Sequence, residues 1–464
     1  MFYGRDDELA FLEEKYASDR AEFVVLYGRR RIGKTALLRE FSKNKNTVFY
    51  NATEIPDRMQ LAKLSKIIVE HFSAKIYSSS FEDWEALFEF IAENTTDTEK
   101  LVLIIDEFPY IAYSNKSVAS ILQKQWDQLL QNQNIMLVLC GSAMSFMENE
   151  VLGEKNPLYG RTTGILKLQE LDFQDAVKFM GVRSFPEQLT LYSIYSGVPY
   201  YLQMIDPEGS IEENIQKSIF STTSVLFNEP EFLLKQELRE VSQYNAIVES
   251  IANGDTRMNS IYQKTGIAKS KLPYYLNNLM DIGIVKREFP VTMKTKERAK
   301  SKSGLYFIDN NFFRFYYAFV YPYLSEIMEG ATDILLKDLV IPNLNEFVSL
   351  EYERYSLWKL GLMRKQGQLP SNYIRIGRWW EKDLEIDLVG YDLKGNYLLG
   401  ECKWRKQRCG MKVFNELQAK TEPFKKKVNS RNSEVYYVIF SKSGFTDELL
   451  KTAKNRDDLK LLTN

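Results

Sequence analysis

Four short apolar runs punctuate the first 145 positions of the chain: FVVLYG at 23–28, TVFYN at 47–51, LVLIID at 101–106 and IMLVLCGS at 135–142. Each is short enough for a strand and lacks polar alternation, the mark of a strand covered on both faces. Helical spacing fills the gaps, so this region reads as an α/β domain with a parallel sheet. From about 166 to 235 the pattern is helical throughout, as in FQDAVKFM and IEENIQKSIF. It changes again after Tyr244, where helices YNAIVESIAN, NSIYQKTG and KSKLPYYLNNLMDIG precede two strand-like stretches, IVKREFP and GLYFID. Three helices and a hairpin are the order of a winged helix. A last α/β unit follows. The expected division is 1–165, 166–235, 236–328 and 329–464.

Composition changes this picture little. With 464 residues, 44% apolar and 27% charged, the chain can bury several ordinary cores. The net charge of -1 conceals local excesses. The hairpin tip KTKERAKSKS holds five basic residues against one acid, including Lys294, Lys296, Lys300 and Lys302. Residues 403–431 hold ten against two. Such runs are commonly solvated faces, and the alternative is a phosphate backbone. Three cysteines (Cys140, Cys402, Cys409) are too few and scattered for a disulfide framework or a zinc site. The single histidine, His71, excludes multi-histidine metal sites and reads as an exposed helix residue. No run of 18 apolar residues exists, which predicts no membrane span, and MFYGRDDEL does not resemble a signal peptide. A cytoplasmic protein without a membrane partner is expected.

Gly28-Arg29-Arg30-Arg31-Ile32-Gly33-Lys34-Thr35 fits the pattern GxxxxGK[ST], directly after a buried strand and at the head of the helix KTALLREF. Glycines let backbone N–H groups close around phosphates, and a helix N-terminus adds a favourable field. The expected cradle is Gly28, Arg31, Ile32, Gly33, Lys34, Thr35 and Ala36. Lys34 is expected to reach the β- and γ-phosphates of ATP, and Thr35 to ligate Mg²⁺. In LVLIIDEF, Asp106 is suited to the Mg²⁺ water shell and Glu107 to orienting the attacking water. That acid pair favours a hydrolase over a small-molecule kinase. Ser142, at the end of the fourth run, reads either as a γ-phosphate sensor or as the N-cap of the next helix. Arg161, in PLYGRTTG, reads either as a charge-neutralising arginine finger or as a surface residue.

The set FYGRDDEL, GRRRIGKT, LIIDEF, LCGSAMSFM, PLYGRTTG and SGVPYYL resembles the archaeal-type ATPase family, a STAND-class branch of the AAA+ ATPases. The resemblance runs over about 230 residues. It implies a P-loop core with a helical lid, places Gly4 and Arg5 near the adenine, and makes Gly197 and Pro199 a GxP element that touches the nucleotide from the lid. It also strengthens the finger reading of Arg161.

Near residue 390, LEIDLVGYDLKGNYLLGECKW reads as a hairpin turning at Asp392–Asn396. A turn centred on Lys394 sets Asp387 opposite Glu401 and Glu385 opposite Lys403, on one face. Like charges directly opposed destabilise a sheet, and a divalent cation removes the conflict. Two carboxylates with a nearby lysine suit metal-assisted phosphodiester hydrolysis. A plain surface hairpin is the other reading, and a register slip of one residue breaks the pairing.

Asp387 with Glu401-Cys402-Lys403 resembles the PD-(D/E)xK nuclease core, a restriction-endonuclease-like fold. IGRWWEKDLEIDLVG…LGECKWR is similar to the carboxyl-terminal domain of uncharacterised function that often accompanies this ATPase. The core's further helical acid is matched by Glu353 in SLEYERYSL, with Glu351 as rival. Glu353, Asp387 and Glu401 are thus the expected metal ligands, for Mg²⁺ or Mn²⁺. Ile386 stands where the family has proline, a departure that bears on activity more than on fold. The expected protein is an ATPase acting on nucleic acid, DNA first, with self-association as a homo-oligomer or on binding ATP. A switch that binds DNA without cutting it is the rival.

Overall fold

Every residue of strands β1 (Glu22–Tyr27), β3 (Leu101–Asp106) and β4 (Ile135–Gly141) is buried, as the unbroken apolar runs require. The computed structural model describes residues 2–73, 80–299, 301, 303–430 and 433–463. It divides into two units, one of Met1–Phe179 with Gly197–Gln203, the other of Met180–Ser196 with Met204–Asn464.

In the first unit, β2 (Thr47–Asn51) and β5 (Gly164–Lys167) complete a parallel sheet of order β2-β3-β4-β1-β5. Alternate residues feed two cores. Phe23, Val25, Leu103, Ile105 and Leu137 face one way. Val24, Leu26, Val102, Ile104 and Val138 face the other. Tyr27 pairs with Gly141 and Ile105 with Leu139, so β1, β3 and β4 end side by side. In parallel sheets ligands gather outside such carboxyl ends. The strand β5, invisible in the apolar pattern, is a four-residue edge strand whose residues alternate between half-buried and exposed.

The second unit holds helices Val241–Ala252, Met258–Thr265 and Leu272–Asp281, followed by the antiparallel pair β6 (Val285–Glu288) and β7 (Leu305–Ile308). The excursion between those strands does not stand free. Val291 N–H donates to the Arg378 carbonyl (2.9 Å), and the indoles of Trp379 and Trp380 donate to Thr292 Oγ1 (3.1 Å) and the Ser303 carbonyl (3.2 Å). Lys294 and Lys296 nevertheless remain exposed; Lys300 and Lys302 lie outside the described residues.

A 25-residue helix, Ile341–Lys365, then leads into β8 (Arg375–Glu381), β9 (Leu384–Tyr391), β10 (Tyr397–Lys403), β11 (Val435–Ser441) and β12 (Leu459–Leu462). They form a mixed sheet of order β12-β11-β10-β9-β8, antiparallel across β8–β10 and parallel across β10–β12. Helices Met411–Ala419, Thr421–Lys427 and Asp447–Lys454 pack through Phe414, Leu417, Phe424 and Leu449 against Leu399, Tyr437 and Ile439. No helix among the described residues is long and apolar enough to cross a membrane.

Candidate functional site

The loop after β1 closes because its glycines admit what other residues do not. A Cβ at Gly28 would meet the Leu168 carbonyl at 2.5 Å, and Gly33 takes a left-handed φ of 92°. The helix Lys34–Phe41 begins there, leaving the first-turn N–H groups of Lys34, Thr35 and Ala36 at its head. Ile32 is buried, and Arg31 is itself left-handed (φ 69°). Lys34 is buried, and its ammonium donates to the carbonyls of Gly28 (2.9 Å) and Arg29 (2.8 Å). Burial holds its pKa below the ordinary lysine value. Thr35 Oγ1 donates to Asp106 Oδ2 at 2.7 Å, joining the head of this helix to the end of β3. Glu107 sits at φ 54°, and its Oε2 accepts from Ser142 Oγ (2.8 Å) and Ser142 N–H (3.3 Å). The helix after β4 has Ala143 at its N-cap and no side-chain cap, so the capping alternative for Ser142 is not realised.

Gly4 and Arg5 border the same loop. The Arg5 guanidinium donates to the carbonyls of Ile32 (3.0 Å) and Gln169 (2.6 Å), and a Cβ at Gly4 would fall 2.6 Å from Asp175 Cγ. From the other side comes the turn at Gly197. Its added Cβ would lie 1.9 Å from the Leu171 carbonyl oxygen, and Pro199 Cγ is 3.7 Å from a Cβ built on Gly33.

In the second unit the hairpin register agrees with a turn centred on Lys394, since Tyr391 pairs with Tyr397 and Leu388 with Gly400. Asp387 and Glu401 lie one step beyond that ladder. There Asp387 Oδ2 accepts the Cys402 N–H (2.9 Å). The expected cross-strand pair of Glu385 and Lys403 does not form. Glu385 is taken by Arg378 on β8 (2.6 Å), and Lys403 bonds Glu401 Oε1 (2.6 Å). Lys420 holds Glu401 Oε2 at 3.0 Å. Of the two candidate acids on the long helix, Glu351 pairs with Arg354. Glu353 instead faces this group, its buried Oε2 lacking a hydrogen bond with Arg378 Nε 3.5 Å away. Burial, then the Asp387 charge, pushes Glu353 up to about 8. Burial and Glu401 push Asp387 up to about 6. Burial acts the same way on Glu401, but Lys403 and Lys420 hold it below the ordinary carboxylate value. Among the described residues no three of His, Cys, Asp or Glu are gathered as a ready metal cage.

The family described as an ATPase domain predominantly from Archaea matches residues 2–205. An uncharacterized protein of Methanocaldococcus jannaschii is 34% identical over 448 residues, covering 95% of this chain and 96% of its own. The chain belongs to this archaeal ATPase family. An ATP-binding protein of the same organism is 51% identical over 45 residues, 10% of this chain and 76% of its own. In fold, the Walker-type ATPase PABY2304 of Pyrococcus abyssi is similar, with a TM-score of 0.51 at 18% identity over 68% of this chain and 95% of the other. A second family, of archaeal and bacterial proteins of unknown function, matches residues 316–418. The P-loop is thus that of a nucleotide-binding ATPase domain.

One expected residue of this ATPase is not brought to the loop. Arg161 precedes β5 and forks onto Asp127 through Nε (3.1 Å) and Nη2 (2.8 Å). Its neighbour Thr163 bonds Phe23, near the start of β1, whereas the P-loop leaves the other end. About 15–20 Å of strand separates them. Other residues are at the sites without having been singled out from sequence. Glu170 binds Arg29 (2.8 Å) and the Gly197 N–H (3.3 Å), and the Tyr200 ring lies 4.5 Å from the Arg31 guanidinium. At the carboxylates the additions are Lys420 and Arg378. Only the GVPYYL motif gave any sign of Tyr200; nothing local marks Lys420 among its basic neighbours.

Proposed function

We propose that this ATPase is Mg²⁺-dependent, binds nucleic acid, and couples its nucleotide state to a metal-dependent nuclease site in the second unit. The observation that carries the reading is the nearness of Glu353 to Asp387, and of Asp387 to Glu401 and Lys403, from one helix and two neighbouring strands, although the acids are not drawn into a ready metal cage. Opposed, buried carboxylates are costly unless charge is brought to them. The buried Glu353 Oε2 accepts no hydrogen bond, with the Arg378 guanidinium 3.5 Å away, and an all-oxygen set suits Mg²⁺ or Mn²⁺. Glu353, Asp387 and Glu401 would hold the ion, which when bound would supply Lewis acidity toward a phosphodiester. Lys403, already 2.6 Å from Glu401, would support the phosphate or nucleophile.

At the P-loop, the Thr35 hydroxyl and Asp106 carboxylate are hard oxygens 2.7 Å apart. They suit Mg²⁺. Lys34 would exchange its two carbonyl partners for β- and γ-phosphate oxygens. Glu107, freed from Ser142, would orient water, and Ser142 would turn to the γ-phosphate. Gly4 and Arg5 would border the adenine, and Gly197 and Pro199 would close over the nucleotide. Arg161, too far from its own P-loop, would act on that of a neighbouring copy, which ties the finger reading to self-association. Residues 236–328 are read as a winged helix and 329–464 as a PD-(D/E)xK-like domain. The setting is cytoplasmic, in defence or genome maintenance.

A second reading is favoured by one observation. Both oxygens of Glu401 are already neutralised by Lys403 and Lys420, which suits an ATP-switched DNA-binding scaffold that never cuts. Incubation of the protein with plasmid and linear DNA, with Mg²⁺ or Mn²⁺ and with or without ATP, separates the two. Cleavage lost in Glu401→Ala and altered in Lys34→Ala supports the nuclease. ATP hydrolysis and DNA binding without any cleavage of DNA or RNA supports the scaffold.

A further inference from the structure

The β9–β10 turn carries Lys394 out of the sheet, and the end of the helix Thr421–Lys427 carries Lys425 and Lys426 to meet it. Between them lies an open cavity of about 750 Å³, lined by Lys394, Gly395, Lys425, Lys426, Asn429, Ser430 and Ser433. That size falls within the range of about 300–1,000 Å³ typical of ligand pockets.

The lysines on the helix have an ordinary explanation, because cations near a helix C-terminus interact well with its dipole. This accounts for Lys425–Lys427 but not for a fourth ammonium brought from a separate turn. Nor is the local charge balanced by acids. Asp392, the carboxylate nearest in sequence to Lys394, is spent inside the turn, accepting from the N–H groups of Lys394 (2.8 Å) and Asn396 (2.9 Å) and from Ser371 Oγ (2.6 Å). Lys427 is paired with Glu381 (2.7 Å), on the rim of another strand. Among the described residues Lys425 has only the highly exposed Glu422, 4.0 Å away. Lys394 and Lys426 are exposed, and among the described residues neither has an acid within ion-pair distance. The turn itself is held rigid, with Gly395 at φ 87° where a side chain is disfavoured. Three ammonium groups and an asparagine amide line one cavity, together with the hydroxyls of Ser430 and Ser433, which bond each other.

We infer that the Lys394–Lys425–Lys426 cavity is a phosphate-binding site, separate from both the P-loop and the carboxylates, that grips the backbone of a nucleic acid. It rests on the nucleic-acid reading proposed above and locates one of its contacts. Lys394 and Glu401 are seven residues apart along the turn and β10, or about 20 Å. A nucleic-acid strand advances about 3.4 Å per phosphate, so the cavity sits about six phosphates from the carboxylates. Free oligophosphate offers the same chemistry and is distinguished by the test.

The test uses the full chain, a fluorescent 20-base-pair duplex and inorganic tripolyphosphate. Lys394→Glu/Lys426→Glu is compared with Lys451→Glu/Lys454→Glu, a charge-matched control on an exposed helix. The cavity variant is expected to weaken duplex binding at least about tenfold and to lower the salt slope of log Kd by about 2, the control neither. Amine acetylation read by mass spectrometry gives a second, substitution-free measure, in which the duplex shields Lys394, Lys425 and Lys426 of the wild type. Equal duplex affinity in both variants, or shielding by tripolyphosphate but not by duplex, overturns the inference. Shielding without any cleavage leaves the cavity standing and removes the nuclease. Cleavage that persists unchanged in the cavity variant, with no shielding, does the reverse.

Discussion

The P-loop and the carboxylate group are both clusters of charge, and they keep that charge in opposite ways. The Lys34 ammonium rests on two backbone carbonyls, neutral partners that an incoming anion can replace. Lys403 and Lys420 rest on a carboxylate, so the second group is largely neutralised from within. In one cluster an ammonium is held by neutral groups; in the other the ammonium groups are held by opposite charge. The lesson is that matching residue types are not matching readiness. At the P-loop the charge of Lys34 is held by backbone, whereas at the carboxylates charged side chains hold one another.

Lys34→Ala is expected to lower ATP turnover by about two orders of magnitude or more, measured by phosphate release. Turnover near wild type would mean that the carbonyl-held ammonium is structural. Glu401→Ala comes next. Any divalent-dependent DNA cleavage should fall about a hundredfold, and survival at the wild-type rate would remove the carboxylates from catalysis.

Gly197→Ala sharpens the first half of the comparison. The added methyl meets the Leu171 carbonyl at 1.9 Å, an overlap that backbone atoms cannot relieve cheaply. A loss of about 1–3 kcal/mol in urea unfolding is expected, with weaker nucleotide binding. An unchanged midpoint would show that the turn is free to move away.

The smallest effect concerns Glu353. Its pKa is about 8 in the fold against an ordinary 4.5. Below about pH 4.5 the carboxyl is neutral in both states and costs nothing. As pH rises toward 8 the unfolded chain gives up the proton while the fold keeps it, so stability falls through that window. Glu353→Gln removes this loss. Tm should rise by about 2–4 °C at pH 8.5 and stay level at pH 4.5, and equal shifts at both would deny the buried charge.

Within the chain, local pattern was enough for the P-loop and strands β1 to β4 of its sheet, but not for the edge strand β5. Residues 28–36 are contiguous, their chemistry is mostly backbone, and the central strands β1, β3 and β4 are buried on both faces. The turn at Asp392–Asn396 also set the hairpin register, because turn geometry fixes pairing. What followed from the register alone did not hold. Glu385 was expected to meet Lys403, but the neighbouring strand β8 supplied Arg378, a partner no hairpin can reveal. The choice of Glu353 over Glu351 also needed the helix seated on the sheet, since two residues of one helix point in different directions.

Arg161 makes the same point in reverse. Its motif suggested a place beside the γ-phosphate, yet chain direction fixes which end of the sheet it occupies, and Asp127 holds it there. Lys420 reached Glu401, and Lys394 reached Lys425 and Lys426, only through packing of helices after β10. Sequence determined the elements and the contiguous site, because those depend on neighbours along the chain. Tertiary structure alone decided which distant charges meet, because side-chain pairing depends on distance in space, which sequence separation does not set.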